Sequence, residues 1–158
     1  MSAGTFDMPV RIRFAHCDPA GIVFYPQYLV MTNALVEDWF TERLGIDYAD
    51  MIARRRVGLP IVKLDCEFAR PSRMGETVTL SLALAAIGQR SVRIAIVCHS
   101  GDEVRFRAHQ VLVTTSLESG QSIDIPNDIA AALATFAAQS ATAPSEDFTD
   151  TDSEETSS

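Results

Sequence analysis

The sequence predicts an α+β fold in which an antiparallel sheet wraps around one long helix. Two patterns carry that expectation. Apolar residues recur three and four apart between positions 26 and 44, and from Gly58 onward they alternate at period two in successive segments. A length of 158 residues suits one domain with a real core and is short for two.

Taken in order, Val10, Ile12 and Phe14 alternate with Arg11 and Arg13, which reads as a half-buried strand. Leu29, Asn33, Val36, Phe40 and Leu44 fall on one helical stripe that Met31, Leu35 and Trp39 broaden. A helix with so much apolar surface is expected to be covered by a sheet. Gly45 is placed to end it, and residues 48–56 read as a second, shorter helix.

The strands follow. Ile61 and Val62 lead into the segment 64–68, and residues 70–75 carry turn chemistry. Val78, Leu80, Leu82 and Leu84 alternate with Thr77, Thr79, Ser81 and Ala83, and Val92, Ile94, Ile96 and Cys98 recur at the same period. Ser100-Gly101-Asp102 is a hairpin signal, and a last strand spans 104–116. Pro126 can open an Ala-rich helix that ends near Gln139.

The net charge of −8 is unevenly placed. Six acids and no bases follow Gln139, so the remaining 15 acids and 13 bases leave the body at −2. The domain is therefore expected at 1–139, with 140–158 as a disordered acidic tail that has little to bury. The body has no basic stripe and no aromatic platform, which argues against nucleic acid as a partner. No run approaches the roughly 18 apolar residues of a membrane span, and no basic stretch precedes an apolar one near the N-terminus. Cys17, Cys66 and Cys98 are odd in number and form no CxxC pair, so a cytoplasmic location is expected. The histidines (His16, His99, His109) and cysteines show no ligand spacing, so no metal is expected. Twelve of the 13 bases are Arg, which suits bidentate phosphate contacts as well as surface ion pairs.

The segment Ala15-His16-Cys17-Asp18-Pro19-Ala20-Gly21-Ile22-Val23-Phe24-Tyr25-Pro26 carries the chemistry. It sets one carboxylate, Asp18, in a tight Pro- and Gly-containing connection between the first strand and the long helix. The positive end of that helix offers backbone N–H groups for a negative charge or a developing oxyanion. Aspartates before Pro also commonly hydrogen-bond their own backbone, a purely structural role. His16, Cys17 and Asp18 cannot form a nucleophilic triad, because neighbouring extended residues point to opposite sides. Cys17 is expected to be a small buried packing residue.

This run resembles the signature of the 4-hydroxybenzoyl-CoA thioesterases, a branch of the hot-dog-fold acyl-CoA thioesterases. The similarity continues through Val57-Gly58-Leu59-Pro60-Ile61-Val62 and, more loosely, to about residue 138. Tyr25-Pro26 separates this branch from related short-chain acyl-CoA thioesterases, where a His commonly takes the Tyr position. The resemblance implies a hot-dog fold, with the sheet around the central helix and active sites at the interface of a homodimer or homotetramer. It implies Asp18 as catalytic residue, with Gly21, Tyr25 and Asn33 in oxyanion or substrate contact. The Tyr25 backbone N–H corresponds to the family's donor to the thioester carbonyl.

Arg90 and Ser91 stand where the family contacts CoA phosphates, although this chain keeps one base there instead of several. Arg54, Arg55 and Arg56 read as a solvated face, with phosphate contact as the other option. Asn33, fifteen residues after Asp18, takes the place of the family's Asp that binds a phenolic hydroxyl. An amide there weakens the demand for a para-hydroxyl and admits amino-, carbonyl- or unsubstituted aryl groups. An Asn on an apolar stripe is also expected to need a buried partner.

The resemblance thus implies hydrolysis of an aromatic acyl-CoA to free acid and CoA, with Asp18 as nucleophile or general base. No cofactor is required, since coenzyme A is part of the substrate. The alternatives are a short-chain aliphatic acyl-CoA thioesterase and a non-catalytic acyl-CoA-binding domain. A hot-dog dehydratase needs an acid/base His that is missing beside Asp18.

Overall fold

The computed structural model describes residues 4–141. Strand β1 (Phe6–Arg11) leads through a short 3₁₀ turn (Phe14–His16) to helix α1 (Tyr25–Asp38). A π-helical segment (Trp39–Leu44), α2 (Tyr48–Ala53) and β2 (Val57–Gly58) follow. Then come β3 (Ile61–Phe68), β4 (Thr77–Ile87), β5 (Ser91–Ser100), β6 (Glu103–Val113), β7 (Thr115–Ser116) and α3 (Asn127–Ala141).

The five long strands form one antiparallel sheet in the order β1-β4-β5-β6-β3, and β2 and β7 pair separately. Alternation decides which residues face α1. Val78, Leu80 and Leu82 on β4, Val92, Ile94, Ile96 and Cys98 on β5, and Phe106, Ala108 and Leu112 on β6 are buried. They meet Tyr28, Met31, Leu35 and Val36 of α1, together with Trp39, Phe40 and Phe136, in one core cluster. Packing α1 and α3 against the sheet takes these side chains out of water, the main favourable term in forming the fold. Burial pushes the Cys98 thiol up to about 12, so it behaves as a small hydrophobe.

Several expectations are corrected. Phe14 is 81% exposed, because β1 ends at Arg11 and the chain turns away after Ile12, whose N–H bonds the Glu76 carbonyl. The buried stripe of α1 runs through Tyr28, Met31, Thr32, Leu35 and Val36 rather than through Asn33, which is exposed. The long helix is continuous to Leu44, but its last part is π-helical, and Gly45 (φ 71°) ends it in the left-handed conformation as expected. Cys17 is half-buried, its thiol donating to the Arg13 carbonyl at 3.4 Å. Arg54, Arg55 and Arg56 pair with Asp50, Asp128 and Glu118. Strand β3 is exposed along its whole length, since it lies at the sheet edge and pairs only with β6.

Among the described residues, no helix is long and apolar enough to cross a membrane. Helix α3 runs two residues past the expected boundary at Gln139, and the Ser140 hydroxyl lies 3.1 Å from the Phe136 carbonyl and 3.2 Å from that of Gly4. The rest of the expected tail lies outside the described residues.

A chain ending at residue 141 should melt within about 1 °C of the full chain, because what it loses has little apolar surface and only negative charges. One ending at Gln139 should melt about 2–4 °C lower, the effect of losing roughly 1 kcal/mol of hydrogen bonding in a chain of this size. Calorimetry of the two truncations checks this.

Candidate active site

Residues 16–24 form a small hairpin that carries Asp18 to the start of α1. Cys17 bridges Val23, the Asp18 N–H donates to the Ile22 carbonyl at 3.1 Å, and the Phe24 N–H donates to the His16 carbonyl at 2.9 Å. At the tip, the Gly21 N–H donates to the Asp18 carbonyl at 2.9 Å, closing a four-residue turn. Pro19 suits the second position of that turn through its fixed φ. Gly21 itself is left-handed at φ 76°, where a Cβ would meet no atom but would be strained. A turn followed by a left-handed Gly is a common hairpin closure.

Asp18 is half-buried, and its Oδ1 accepts from the Ala20 N–H at 2.9 Å. The carboxylate therefore does hydrogen-bond its own turn, as the structural reading expects. One oxygen is fixed by that bond, and among the described residues no donor faces the other. Helix α1 opens with Tyr25 and Pro26. Pro26 has no N–H and the Gln27 N–H donates to the Phe24 carbonyl, so the Tyr25 N–H is the unengaged donor of the first turn. The carboxylate thus lies on the hairpin and the open donor at the first residue of the helix that follows it.

A second loop, residues 69–76, holds the hairpin in place. The Val23 N–H bonds the Ser72 carbonyl at 2.9 Å and the Met74 N–H bonds that of Gly21 at 3.1 Å. Ser72 is fully buried, and its hydroxyl bonds the Tyr28 hydroxyl at 2.8 Å. Burial raises the Tyr28 phenol, which keeps it neutral and able to donate, although the Ser72 bond works the other way. Buried Arg105 of β6 anchors the loop by donating to the Pro71 carbonyl at 3.0 Å and pairing with Glu76 at 2.7 Å. That bond holds the Glu76 carboxyl below its usual value.

Beside α1 the Tyr25 ring, exposed, meets Phe24 and Phe68, and Tyr28 and Phe68 both meet Phe106. Further along the helix, Asn33, Glu37, Tyr48, Ile61, Gln110 and Leu112 help wall a cavity of about 240 Å³ between α1, α2 and the β3 edge. Asn33 thus lines a cavity, but no hydrogen-bond partner faces it within the described chain. Arg90 and Ser91 lie at the β4–β5 turn, closed by the Gly88 N–H on the Ser91 carbonyl at 2.7 Å. Arg90 is exposed and donates to Asp124 at 2.9 Å, which lowers the Asp124 carboxyl. No group of three or more His, Cys, Asp or Glu among the described residues could hold a metal.

The Thioesterase-like superfamily profile matches residues 12–133, most of the chain. The chain belongs to this superfamily. Over 84 residues it is 30% identical to the 4-hydroxybenzoyl-CoA thioesterase of Pseudomonas sp. (strain CBS-3), covering 52% of this chain and 59% of that protein. It is 31% identical over 84 residues to a 1,4-dihydroxy-2-naphthoyl-CoA hydrolase of Synechococcus elongatus, covering 52% and 61%. The matched stretch is less than two thirds of the length of these curated relatives. Among solved structures, a 1,4-dihydroxy-2-naphthoyl-CoA thioesterase from Synechocystis superposes with a TM-score of 0.75 at 20% identity, covering 83% of this chain and 96% of that one. A Staphylococcus aureus protein solved in complex with CoA gives 0.83 at 10% identity, covering 95% and 92%. These likenesses show a shared fold, the hot-dog α+β fold expected from the sequence.

In this thioesterase-like domain Asp18 and Gly21 lie on one hairpin, Tyr25 opens the helix that follows it, and Asn33 is on the cavity wall. Arg90 and Ser91 stand apart, on the β4–β5 turn. The sequence reading missed Glu37, Tyr48, Phe68 and Gln110. Gln110 was findable, because it is the polar residue in the inward series Phe106, Ala108, Gln110, Leu112. Phe68 was not, since only the sheet order reveals that its strand is an edge.

Gly21→Ala should lower stability by about 1–2 kcal/mol through left-handed strain alone. Gly21→Asn, which tolerates that region better, should lose clearly less. Chemical denaturation of the three proteins checks the order Gly, Asn, Ala; equal loss in Asn and Ala would contradict it.

Proposed function

We propose that this chain is an acyl-CoA thioesterase acting on an aromatic acyl-CoA, with Asp18 as its catalytic carboxylate. The observation that carries the reading is a carboxylate with one oxygen fixed in the turn that leads into α1, a few residues before the unengaged Tyr25 N–H that opens the helix. The helix-terminal donor would hold the thioester oxygen and stabilise the charge that develops there, a contribution of about 3–4 kcal/mol per donor in other enzymes. The thioester carbonyl is already electrophilic, so no further cofactor enters the proposal. Two observations support an aromatic acyl group: the rings beside Tyr25, and a cavity larger than the roughly 150 Å³ that suffices for benzene. The curated relatives named for aryl-CoA substrates point the same way.

In the preferred mechanism the free Asp18 oxygen attacks the thioester carbon, CoA leaves as thiolate and takes a proton, and a mixed anhydride forms. Water then opens the anhydride at the enzyme's carbonyl, releasing the acid and restoring Asp18. General-base activation of water by Asp18 is the other route. CoA phosphate contact is assigned to the N–H groups that Arg90 keeps free of Asp124, with Ser91 beside it.

Asp18→Asn should reduce kcat at least ~10³-fold, about 4 kcal/mol of barrier, while acyl-CoA still binds. Retention of more than a tenth of the activity would end the assignment. A single turnover in ¹⁸O-water should leave the first acid unlabelled; prompt label in that acid would favour general-base chemistry.

The working unit is proposed to be a homodimer, with a tetramer as the larger alternative. β3 is an exposed edge strand carrying Ile61, Val62, Leu64 and Phe68, and an unpaired edge of this kind templates pairing with another strand. Leu64→Glu should shift the protein toward monomer in light scattering and lower its activity in parallel. A monomeric parent chain would refute the dimer.

A further inference from the structure

Residues 13–16 turn the chain into the Asp18 hairpin without burying a side chain. Phe14 is 81% exposed, and Arg13 and Ala15 are exposed as well. Hydrogen bonds rather than packing therefore hold this turn. The His16 N–H donates to the Arg13 carbonyl at 3.0 Å, and the Cys17 N–H to that of Phe14 at 3.1 Å. In return the Arg13 N–H donates to His16 Nδ1 at 2.9 Å. The imidazole thus closes a capping box, in the place that a Glu or Gln side chain takes in the usual form.

A ring nitrogen that accepts a hydrogen bond carries no proton. The Arg13 bond therefore selects the neutral imidazole with its proton on Nε2. An imidazolium has a proton on both nitrogens and nothing to offer the Arg13 N–H. A carboxylate or amide cap keeps its acceptor through neutral pH, whereas a histidine cap loses it on protonation, within roughly pH 5–8 for this side chain.

The backbone of His16 stands at the base of the hairpin. Its carbonyl accepts the Phe24 N–H at 2.9 Å, and Phe24 precedes Tyr25, whose N–H opens α1. On the other arm Cys17 and Asp18 follow directly. One residue thus joins the arm that carries the carboxylate to the arm that leads to the helix donor. The charged groups around it are Arg13 and Asp18 on its own segment, Arg73 and Glu76 on the loop 69–76, and Arg105 behind that loop. Glu76 is engaged by Arg105 and the Asp18 Oδ1 by the Ala20 N–H. No ion pair among the described residues reaches the His16 ring.

We infer that His16 is the positioning residue of the Asp18 hairpin and acts only with Nδ1 unprotonated, so that the two arms loosen as the ring takes up a proton. It works through the backbone of the turn and needs no contact with substrate. Its effect on rate rests on the acyl-CoA reading above, whereas its effect on the hairpin does not.

The test has two arms. The first is nitrogen-15 NMR of the ligand-free full chain. At about pH 8 the His16 ring should be the Nε2–H tautomer, and on acidification the Arg13 and Asp18 amide resonances should move with the ring's own midpoint. Those movements should vanish in His16→Asn, whose Oδ1 takes the position of Nδ1 but does not titrate. The second arm is kcat against pH for thiol release from benzoyl-CoA and 4-hydroxybenzoyl-CoA. The parent should lose about fivefold as His16 protonates, the worth of one neutral hydrogen bond. His16→Asn should keep the high-pH rate and lose this limb, falling only at the lower pH where carboxylates protonate. His16→Phe, a ring without an acceptor, should show the reduced rate already at high pH. An Nδ1–H tautomer, an Arg13 amide that ignores the ring, or an acid limb that survives in His16→Asn would overturn the inference. Absence of hydrolysis by the parent would sink the catalytic reading alone, since tautomer and amide shifts still decide this one.

Discussion

The site hangs on Arg105. Its guanidinium, nearly buried on β6, reaches the Pro71 carbonyl and the Glu76 carboxylate, and its own carbonyl accepts the N–H groups of Ala69 and Arg70. A buried charge is tolerated only when paired and hydrogen-bonded, so these partners are a condition of the fold rather than an ornament. Through them the sheet dictates where the loop 69–76 lies. That loop dictates where Gly21 and Val23 lie, and with them the hairpin that carries Asp18 and leads into α1.

The same arrangement explains why a short hairpin can carry precise chemistry. Loops are usually the mobile part of a domain. Here the loop is clamped between a helix and a sheet by backbone bonds on both sides and by the buried Tyr28–Ser72 pair. The carboxylate itself stays half-exposed, and the helix opens with a Pro that removes one donor and leaves the Tyr25 N–H free.

At the other flank the molecule is unfinished. β3 is bound on one side only, and its apolar side chains continue the aromatic surface that starts at Tyr25. The cavity behind it is lined by Val36, Ile61 and Leu112 together with Gln110, whose side-chain oxygen has no partner among the described residues. β3 joins the two, since Phe68 at one end belongs to the aromatic rim and Ile61 at the other to the cavity wall.

Much of this was legible in the residues. Period-two alternation announced β4 and β5, because a sheet covered on one face leaves that mark. Asp18, Pro19 and Gly21 announced the turn, since each has a local conformational reason to be there. Local chemistry decides such features, and they survive being read one segment at a time. The helix stripe was read one residue off, with Asn33 placed on it, because an apolar surface that broad does not by itself say which part meets the sheet.

What only the tertiary structure decided are the features that need two distant segments. The exposure of β3 follows from strand order, which no period within residues 61–68 encodes. The clamp on the Asp18 hairpin joins residues 21–23 to 72–74, and the Gln110–Thr32 bond joins positions 78 residues apart. A glutamine on an inward strand position says only that it needs partners. Whether it finds all of them depends on what the fold brings opposite, and here the fold satisfies one end of the amide and, among the described residues, offers the other no partner.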